Sequence, residues 1–232
     1  MSRKIQVFIL VTEGLSHSNK LRNCFSDSLF VVEFVKQSDK CIDERIIDCL
    51  KRCNTENCII LTDKLICLHG SRSVKKIIEN CLSVPDFDIA YLFKYKDKCQ
   101  MHTPIKTSSP ISIVRSHSPN GVEAILYSKN AIDIILGRKT MSSGKKFKKN
   151  YIDKSLNKAI YEGEITAIAT TPNLFEFDIE HHSSSTEYYK YRNECAPLQD
   201  FPEEITDNSR SIMTILFILI IVIIATWALL KI

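Results

Sequence analysis

The feature that most constrains this chain is an apolar run close to its C-terminal end. Residues 212–230 contain only two polar side chains, those of Thr214 and Thr226. Folded as an α-helix, a run of this length extends about 28 Å, close to the roughly 30 Å hydrocarbon core of a bilayer. The sequence therefore predicts a single transmembrane helix, residues 211–232, with the lipid bilayer as its partner.

The two ends of the chain predict how this helix would be inserted. Only Lys231 and Ile232 follow the apolar run, which indicates a tail anchor that inserts after synthesis. The largely apolar stretch 5–11 is too short for a secretory signal and leads into Glu13 without a small-residue cleavage site. We therefore expect a single-pass membrane protein whose N-terminal domain lies in the cytosol or on the surface of a virion.

The residues before the anchor are expected to form one domain and a linker. Of the 232 residues, 44% are hydrophobic, which is ample for a core and excludes a wholly disordered chain. The formal net charge of +4 is too small for a protein whose whole surface binds nucleic acid. We predict an α/β domain over residues 1–195 and a polar tether over residues 196–210.

The nine cysteines are an odd number, so at least one thiol has no partner within the chain. Their spacing is not that of a disulfide scaffold, and we interpret them as small buried hydrophobes in a reducing compartment. A zinc site built from Cys49, Cys53, Cys58 and His69 is the alternative. It is disfavoured because the sequence contains no CxxC pair.

Strand-like and helix-like segments alternate along the first half of the sequence. Apolar, β-branched or aromatic runs mark the strands, and apolar residues three or four positions apart mark the helices. The predicted strands are 4–11, 29–35, 58–61 and 88–95, and the predicted helices between them are 20–26, 42–50 and 73–82. This alternation predicts a mostly parallel sheet with right-handed crossovers.

The edge of such a sheet is where we expect any chemistry. In open α/β sheets, ligands bind beyond the carboxyl ends of the strands. The predicted strand 58–61 is followed directly by Thr62, Asp63 and Lys64. These polar side chains are therefore candidates for a binding site.

Three stretches of the sequence resemble one enzyme family. The first is the helix CIDERIIDCLKRC with the break NTEN, the strand CIIL and the triplet TDK, residues 41–64. The second is GVEAILYSKNAIDIIL, residues 121–136, and the third is Asp153 followed by ITAIATTPNLF, residues 165–175. Together they are similar to glycosyltransferases of the lipooligosaccharide and procollagen galactosyltransferase type. The resemblance implies a glycosyltransferase-A-like α/β fold over residues 4–177.

The same resemblance implies a metal site that this chain has largely lost. In the family, the strand equivalent to 58–61 ends in Glu-Asp-Asp, which holds a divalent metal on the diphosphate of a nucleotide-sugar. Asp63 matches one of these acids, but Thr62 and Lys64 replace its neighbours. One carboxylate is a poor site for Mg²⁺ or Mn²⁺, and Lys64 would repel the cation, although its ammonium could itself neutralise a diphosphate.

Two outcomes for catalysis follow from these departures. The favoured one is a domain that has lost catalysis and needs no cofactor. If activity survives, the resemblance implies a Mn²⁺- or Mg²⁺-dependent transfer from a UDP-sugar. Asp63 and Lys64 would then lie at the donor, and Asp153 would act as the general base on the acceptor side.

The segment 137–151 is strongly basic and contains no acid. We interpret it as a flexible loop that is either an ordinary solvated surface or a site for a polyanion, such as a sulfated glycosaminoglycan or anionic lipid. Nucleic acid is not expected, because only Phe147 and Tyr151 interleave the charges. The candidate glycan-binding residues are Arg138, Lys139, Lys145, Lys146, Lys148 and Lys149.

A tail anchor joined to a weakened glycosyltransferase-like domain resembles the heparan sulfate-binding envelope proteins of poxvirus virions. That resemblance implies a virion envelope protein that attaches to sulfated glycans of the host cell through segment 137–151. The alternative is a membrane-bound glycosyltransferase that uses a nucleotide-sugar donor.

Overall fold

The computed structural model describes residues 4–12, 15–36, 38–95, 97–98, 105–108, 111–178 and 195–196. The predicted anchor, and the predicted tether apart from Ala196, lie outside these residues. Among the residues that the structure does describe, no helix is both long and apolar enough to span a membrane. The C-terminal anchor therefore stays a prediction.

Helices and strands alternate along the first half of the described chain, as the sequence predicts. The helices are α1 (Leu15–Cys24), α2 (Ile42–Arg52), α3 (Ser71–Leu82), α4 (Lys129–Leu136) and α5 (Ile152–Tyr161). The first six strands are β1 (Ile5–Leu10), β2 (Phe30–Val35), β3 (Asn57–Thr62), β4 (Leu65–Cys67), β5 (Ile89–Phe93) and β6 (Asp97–Lys98). The later strands are β7 (Lys106–Ser108), β8 (Ile111–Ser116), β9 (Ala124–Ser128), β10 (Ala167–Thr171), β11 (Phe175–Phe177) and β12 (Cys195–Ala196).

The main sheet has eight strands in the order β2-β1-β3-β9-β5-β10-β8-β7. Strands β8 and β9 run against the other six, so the prediction of a mostly parallel sheet is confirmed. The central position of β9 was not predicted, since Leu126 pairs with Ile59 of β3 on one side and with Ala90 of β5 on the other. A strand that is apolar on both faces has the same pattern in either direction, so its sequence does not reveal which way it runs.

The core lies on both faces of this sheet. Alternate residues of β1 enter different clusters, because successive side chains of a strand point to opposite faces: Val7 packs in one cluster and Phe8 in the other. Helix α3 contributes Ile78 to the first cluster, and α2 contributes Leu50 to the second. Each fully buried Leu, Ile or Phe stabilises the fold by about 1.5–3 kcal/mol, so two such layers hold the sheet edge in place.

Local signals at helix ends explain where several elements begin and stop. Helix α4 begins after Ser128, whose Oγ accepts a hydrogen bond from the N–H of Ala131 at 3.3 Å, and it ends at Gly137 in the left-handed conformation (φ 76°). The basic segment therefore starts directly at the C-cap of α4. Helix α3 begins at Ser71, two residues before its predicted start at residue 73, and Gly70 is its N-cap.

The interpretation of the cysteines as small buried hydrophobes fits only some of them. The seven whose side chains the structure describes are free thiols: Cys24, Cys49, Cys58 and Cys81 are buried, Cys53 and Cys67 are partly buried, and Cys41 is exposed. In the described ranges, no group of three His, Cys, Asp or Glu side chains could hold a metal ion.

Candidate functional site

The carboxyl ends of three parallel strands bring polar side chains to one edge of the main sheet. Thr12 follows β1, Asp63 follows β3 and Tyr95 follows β5. Glu123 precedes the antiparallel β9, and Asp153 lies in the first turn of α5. We call these five residues the strand-edge site. It occupies the edge where open α/β sheets bind their ligands.

Asp63 is buried at this edge, with 2% of its surface exposed, and its carboxylate is already bonded. The backbone N–H of Thr12 donates to Oδ2 at 2.9 Å, and the hydroxyl of Thr12 donates to Oδ1 at 2.5 Å. The hydroxyl of Ser18 lies 3.4 Å from Oδ2. Asp63 therefore joins the end of β3 to the chain after β1.

A divalent metal of the kind that the resemblance implies does not fit these residues. Mg²⁺ and Mn²⁺ bind through several hard oxygen ligands, and both oxygens of Asp63 accept hydrogen bonds from protein donors. The adjacent Thr62 and Lys64 supply no carboxylate. Lys64 is half-buried, and its carbonyl accepts a hydrogen bond from the N–H of Asp178 at 2.8 Å. Its predicted role at a diphosphate stays a prediction.

Two carboxyl groups, those of Glu123 and Asp153, meet around Gly121. The N–H of Gly121 donates to Oδ1 of Asp153 at 2.9 Å. Oε1 of Glu123 accepts from the hydroxyl of Tyr95 at 2.7 Å, and Oε2 accepts from the N–H of Val122 at 2.8 Å. A side chain at position 121 could not be tolerated, because Gly121 has φ +114° and an added Cβ would lie 2.8 Å from Oε2 of Glu123.

The surroundings of this pair raise the pKa of both carboxyl groups. Burial raises the pKa of Glu123, and the nearby charge of Asp153 raises it further, against the lowering effect of the Tyr95 hydroxyl. Burial also raises the pKa of Asp153, with a further contribution from Asp43. Carboxyl groups with raised pKa values in a sheet-edge site are suited to general acid–base chemistry.

Asp153 is among the site residues predicted from the sequence, whereas Glu123 is not. Glu123 lies within the stretch 121–136 that carries the family resemblance. The pattern around it predicts a strand and gives the acid no role of its own. The available signal was an acid two residues after Gly121 and directly before an apolar strand. The structure links this residue to the predicted site, because the N–H of Thr62 donates to the carbonyl of Glu123 at 2.9 Å.

The basic segment 137–151 is exposed but is not the flexible loop that the sequence suggests. Phe147 is buried and packs in the core cluster that also contains α4 and α5. The carboxylate of Glu164 accepts hydrogen bonds from the N–H of Ser142 at 2.6 Å and from the N–H of Ser143 at 2.9 Å. Hydrogen bonds from the side chains of Ser142 and Ser143, together with these N–H groups, lower the pKa of Glu164 to about 2. The segment is thus anchored at two points.

The six basic side chains of this segment are all exposed, and five of them fall into two groups. Arg138 and Lys139 interact locally with α4, since Arg138 pairs with Asp133 at 3.4 Å and Lys139 donates to Asn130 at 2.5 Å. The second group surrounds a cleft of about 320 Å³. Its basic lining residues are Lys145, Lys146, Lys148 and, from α5, Lys158.

Lys149 lies apart from both groups. Its Nζ donates to the carbonyl of Leu136 at 3.1 Å, and its side chain lines a different cleft. The structure therefore brings together three of the six predicted glycan-binding residues.

Comparisons with known proteins give similarity to solved structures only. No family model matches the chain, and no curated protein sequence matches it. A mannosyltransferase from Pyrobaculum calidifontis, solved with GDP-Man and Mn²⁺, is 9% identical with a TM-score of 0.43 over 72% of this chain. The chain spans about half of that enzyme, 54% of its length.

Two further solved structures are similar over more of their own length. A glycosyltransferase involved in the glycosylation of the major capsid of PBCV-1 is 12% identical with a TM-score of 0.42, over 72% of this chain and 80% of its own. A putative glucose-1-phosphate thymidylyltransferase from Bacillus anthracis is 12% identical with a TM-score of 0.45, over 82% of this chain and 96% of its own. These TM-scores carry no argument about activity, so the site has to be interpreted from its own geometry.

Proposed function

We propose that this chain is a tail-anchored binding protein, with a degenerate glycosyltransferase-like domain, that attaches to sulfated glycosaminoglycan through segment 137–151. The observation that carries the proposal is the arrangement of Lys145, Lys146 and Lys148 with Lys158 around one cleft of about 320 Å³. Attachment of a virion envelope to a host cell is the biological setting that this proposal includes.

The anchoring of the segment supports binding. A loop that is already ordered loses less conformational entropy when it binds a ligand. Phe147 and Glu164 provide that order, because the first is buried in the core and the second holds the turn at Ser142 and Ser143. The lysines of the cleft can therefore face a sulfated chain without a large ordering cost.

The strength of binding would come from several weak contacts. An exposed Lys–sulfate contact contributes about 0.2–1 kcal/mol, and contacts to one polymer act together. Glu162 also lines the cleft and lies 3.8 Å from Lys158, which offsets part of that lysine's charge. Most of the attraction is therefore assigned to the three lysines of the segment.

Heparin chromatography with a charge-matched control tests this proposal. The variant replaces Lys145, Lys146, Lys148 and Lys149 by Ala and should elute at clearly lower salt than the wild type. The control removes the same charge from four exposed lysines elsewhere, namely Lys4, Lys20, Lys36 and Lys76. The control should elute from heparin at nearly the same salt concentration as the wild type. Equal elution of all three proteins would contradict the proposed site.

A second candidate function is favoured by one observation, the raised pKa values of Glu123 and Asp153 at the sheet edge. It is a membrane-bound glycosyltransferase that uses a UDP-sugar, with Asp153 as general base. Calorimetric titration with a panel of UDP-sugars, with and without Mn²⁺, separates the two functions. Binding and turnover would support the enzyme, whereas the absence of both would support the glycan-binding protein.

A further inference from the structure

We propose that a second cleft, next to Tyr151, holds a sugar ring of the bound glycan by stacking it on the aromatic side chain. This inference rests on the proposed function and adds a subsite of different chemistry to it. The second cleft has a volume of about 510 Å³ and lies between the start of α2 and the end of segment 137–151. We call it the Tyr151 cleft.

The ring of Tyr151 is unusually available for a large aromatic side chain. The residue is 71% exposed, while aromatic residues such as Tyr91 and Tyr127 are fully buried in the core. Burial of an aromatic side chain is normally favourable, because it removes a large apolar area from water. An exposed tyrosine that lines a cleft is therefore a candidate for contact with a ligand.

The backbone at Tyr151 is held in an uncommon conformation. Tyr151 adopts the left-handed conformation (φ 62°, ψ 59°), which is unfavourable for a residue other than glycine. Its N–H donates to Oδ2 of Asp43 at 2.9 Å, which ties it to the first turn of α2. On the neighbouring turn of α5, Nζ of Lys154 lies 5.6 Å from the centroid of the ring.

The walls of the Tyr151 cleft have balanced charge. They differ in this from the cleft lined by Lys145, Lys146, Lys148 and Lys158, which we call the lysine cleft. Lys40 and Lys51 both pair with Asp48, at 2.5 and 3.2 Å. Glu44 accepts a hydrogen bond from the N–H of Cys41 at 3.2 Å. A wall of paired charges has little net attraction for a sulfate, but it offers donors and acceptors for the hydroxyl groups of a sugar.

An aromatic ring and polar walls are together suited to a pyranose. The face of a tyrosine ring carries partial negative charge and attracts the polarised C–H groups on one face of a sugar. Lys148 of the lysine cleft and Lys149 of the Tyr151 cleft are adjacent in sequence. The proposal is that one glycan chain places sulfates near Lys145, Lys146 and Lys148 and a sugar ring against Tyr151.

The test measures the affinity of the full chain for a heparin-derived oligosaccharide over a range of salt concentrations. Tyr151→Asn removes the ring and keeps a residue that tolerates the left-handed conformation. It should weaken binding about two- to tenfold while the slope of log affinity against log salt stays unchanged. Tyr151→Phe keeps the ring and should bind like the wild type. The variant lacking four lysines should instead show a shallower slope, because it releases fewer counterions.

A matched control is provided by Tyr161, which is 63% exposed and lies at the end of α5. Tyr161→Asn should leave the affinity unchanged. If Tyr151→Asn binds like the wild type, or if Tyr161→Asn weakens binding equally, the sugar subsite is wrong while the lysine site stands. If the wild type does not bind the oligosaccharide, both the proposed function and the subsite are wrong.

Discussion

Thr12 engages both carboxylate oxygens of Asp63, with its N–H 2.9 Å from Oδ2 and its hydroxyl 2.5 Å from Oδ1. The two residues are 51 positions apart in sequence and follow adjacent parallel strands, β1 and β3. The one acid that matches a metal-binding triplet is therefore part of a structural link between strand ends. The contribution of this link to the stability of the domain and the response of the domain to metal can be tested separately.

Replacing Asp63 by Ala should destabilise the domain by about 2–4 kcal/mol, because hydrogen bonds to a charged group are lost and the partly buried donors of Thr12 lose their acceptor. Urea unfolding of the chain without residues 211–232 measures this change. Asp39→Ala, at an exposed position, is the control and should change the unfolding free energy by less than about 0.5 kcal/mol. A loss as small as that of the control would show that the link to Thr12 contributes little.

Addition of Mn²⁺ or Mg²⁺ should leave the thermal unfolding midpoint of the wild type unchanged. A ligand that binds the folded state raises this midpoint, and the carboxylate oxygens of Asp63 are already bonded to Thr12. Scanning fluorimetry at increasing metal concentration measures the effect. A rise in the wild type that disappears in Asp63→Asn would instead show a functional metal site.

Asp153→Asn should make the domain relatively more stable than the wild type as the pH rises. Because burial raises the pKa of Asp153, the folded state binds more protons than the unfolded state above the usual carboxyl pKa. Wild-type stability then falls as the pH rises from the unfolded toward the folded pKa, whereas the amide of the variant does not titrate in this range. Asn keeps an oxygen for the N–H of Gly121, so the comparison isolates the charge.

The same variant should lower the pKa of Glu123, since the charge of Asp153 contributes to its rise. Carboxyl chemical shifts of Glu123, followed by NMR over a pH titration, measure it. Urea unfolding at several pH values measures the stability difference, with Asp39→Asn as control. A stability difference that is constant with pH would contradict the assigned role of burial.

Glu164→Gln should loosen the turn that anchors the basic segment. The pKa of Glu164 is lowered to about 2 by the donors of Ser142 and Ser143. The carboxylate therefore contributes fully to folding stability at pH values above the unfolded carboxyl pKa. This contribution is lost as the pH falls toward 2. Neutral Gln cannot reproduce the charged hydrogen bonds, and we expect faster amide exchange at Ser142 and Ser143 and earlier elution from heparin.

The control for this variant is Glu79→Gln, which alters an exposed acid on α3. Lower heparin affinity without faster exchange would mean that Glu164 does not act by ordering the segment.

Removal of residues 211–232 should release the protein from membranes. The full chain should sediment with the membrane fraction after a carbonate wash, because its apolar run matches the thickness of a bilayer core. The truncated chain should stay in the supernatant. If the truncated chain sedimented equally, the prediction of a tail anchor would be wrong.

Much of the fold could be predicted from local sequence patterns. The apolar residues of β1 and β3 and the helical spacing of Ile46 and Leu50 in α2 are local signals, and the structure confirms these elements. The exposure of segment 137–151 also followed from its composition. Its order did not, because one buried residue, Phe147, and one distant acid, Glu164, provide it.

The sequence by itself determined which segments are apolar enough to form strands and helices, where the basic residues cluster, and that residues 212–230 could span a bilayer. These properties depend on neighbouring residues, so they can be read from the chain directly. Only the tertiary structure decided that β9 runs between β3 and β5 and that Thr12 donates hydrogen bonds to both carboxylate oxygens of Asp63. It also decided that Glu123 and Asp153 meet around Gly121. Each of these contacts joins segments far apart in sequence, and it forms because packing both faces of one sheet brings their ends to the same edge.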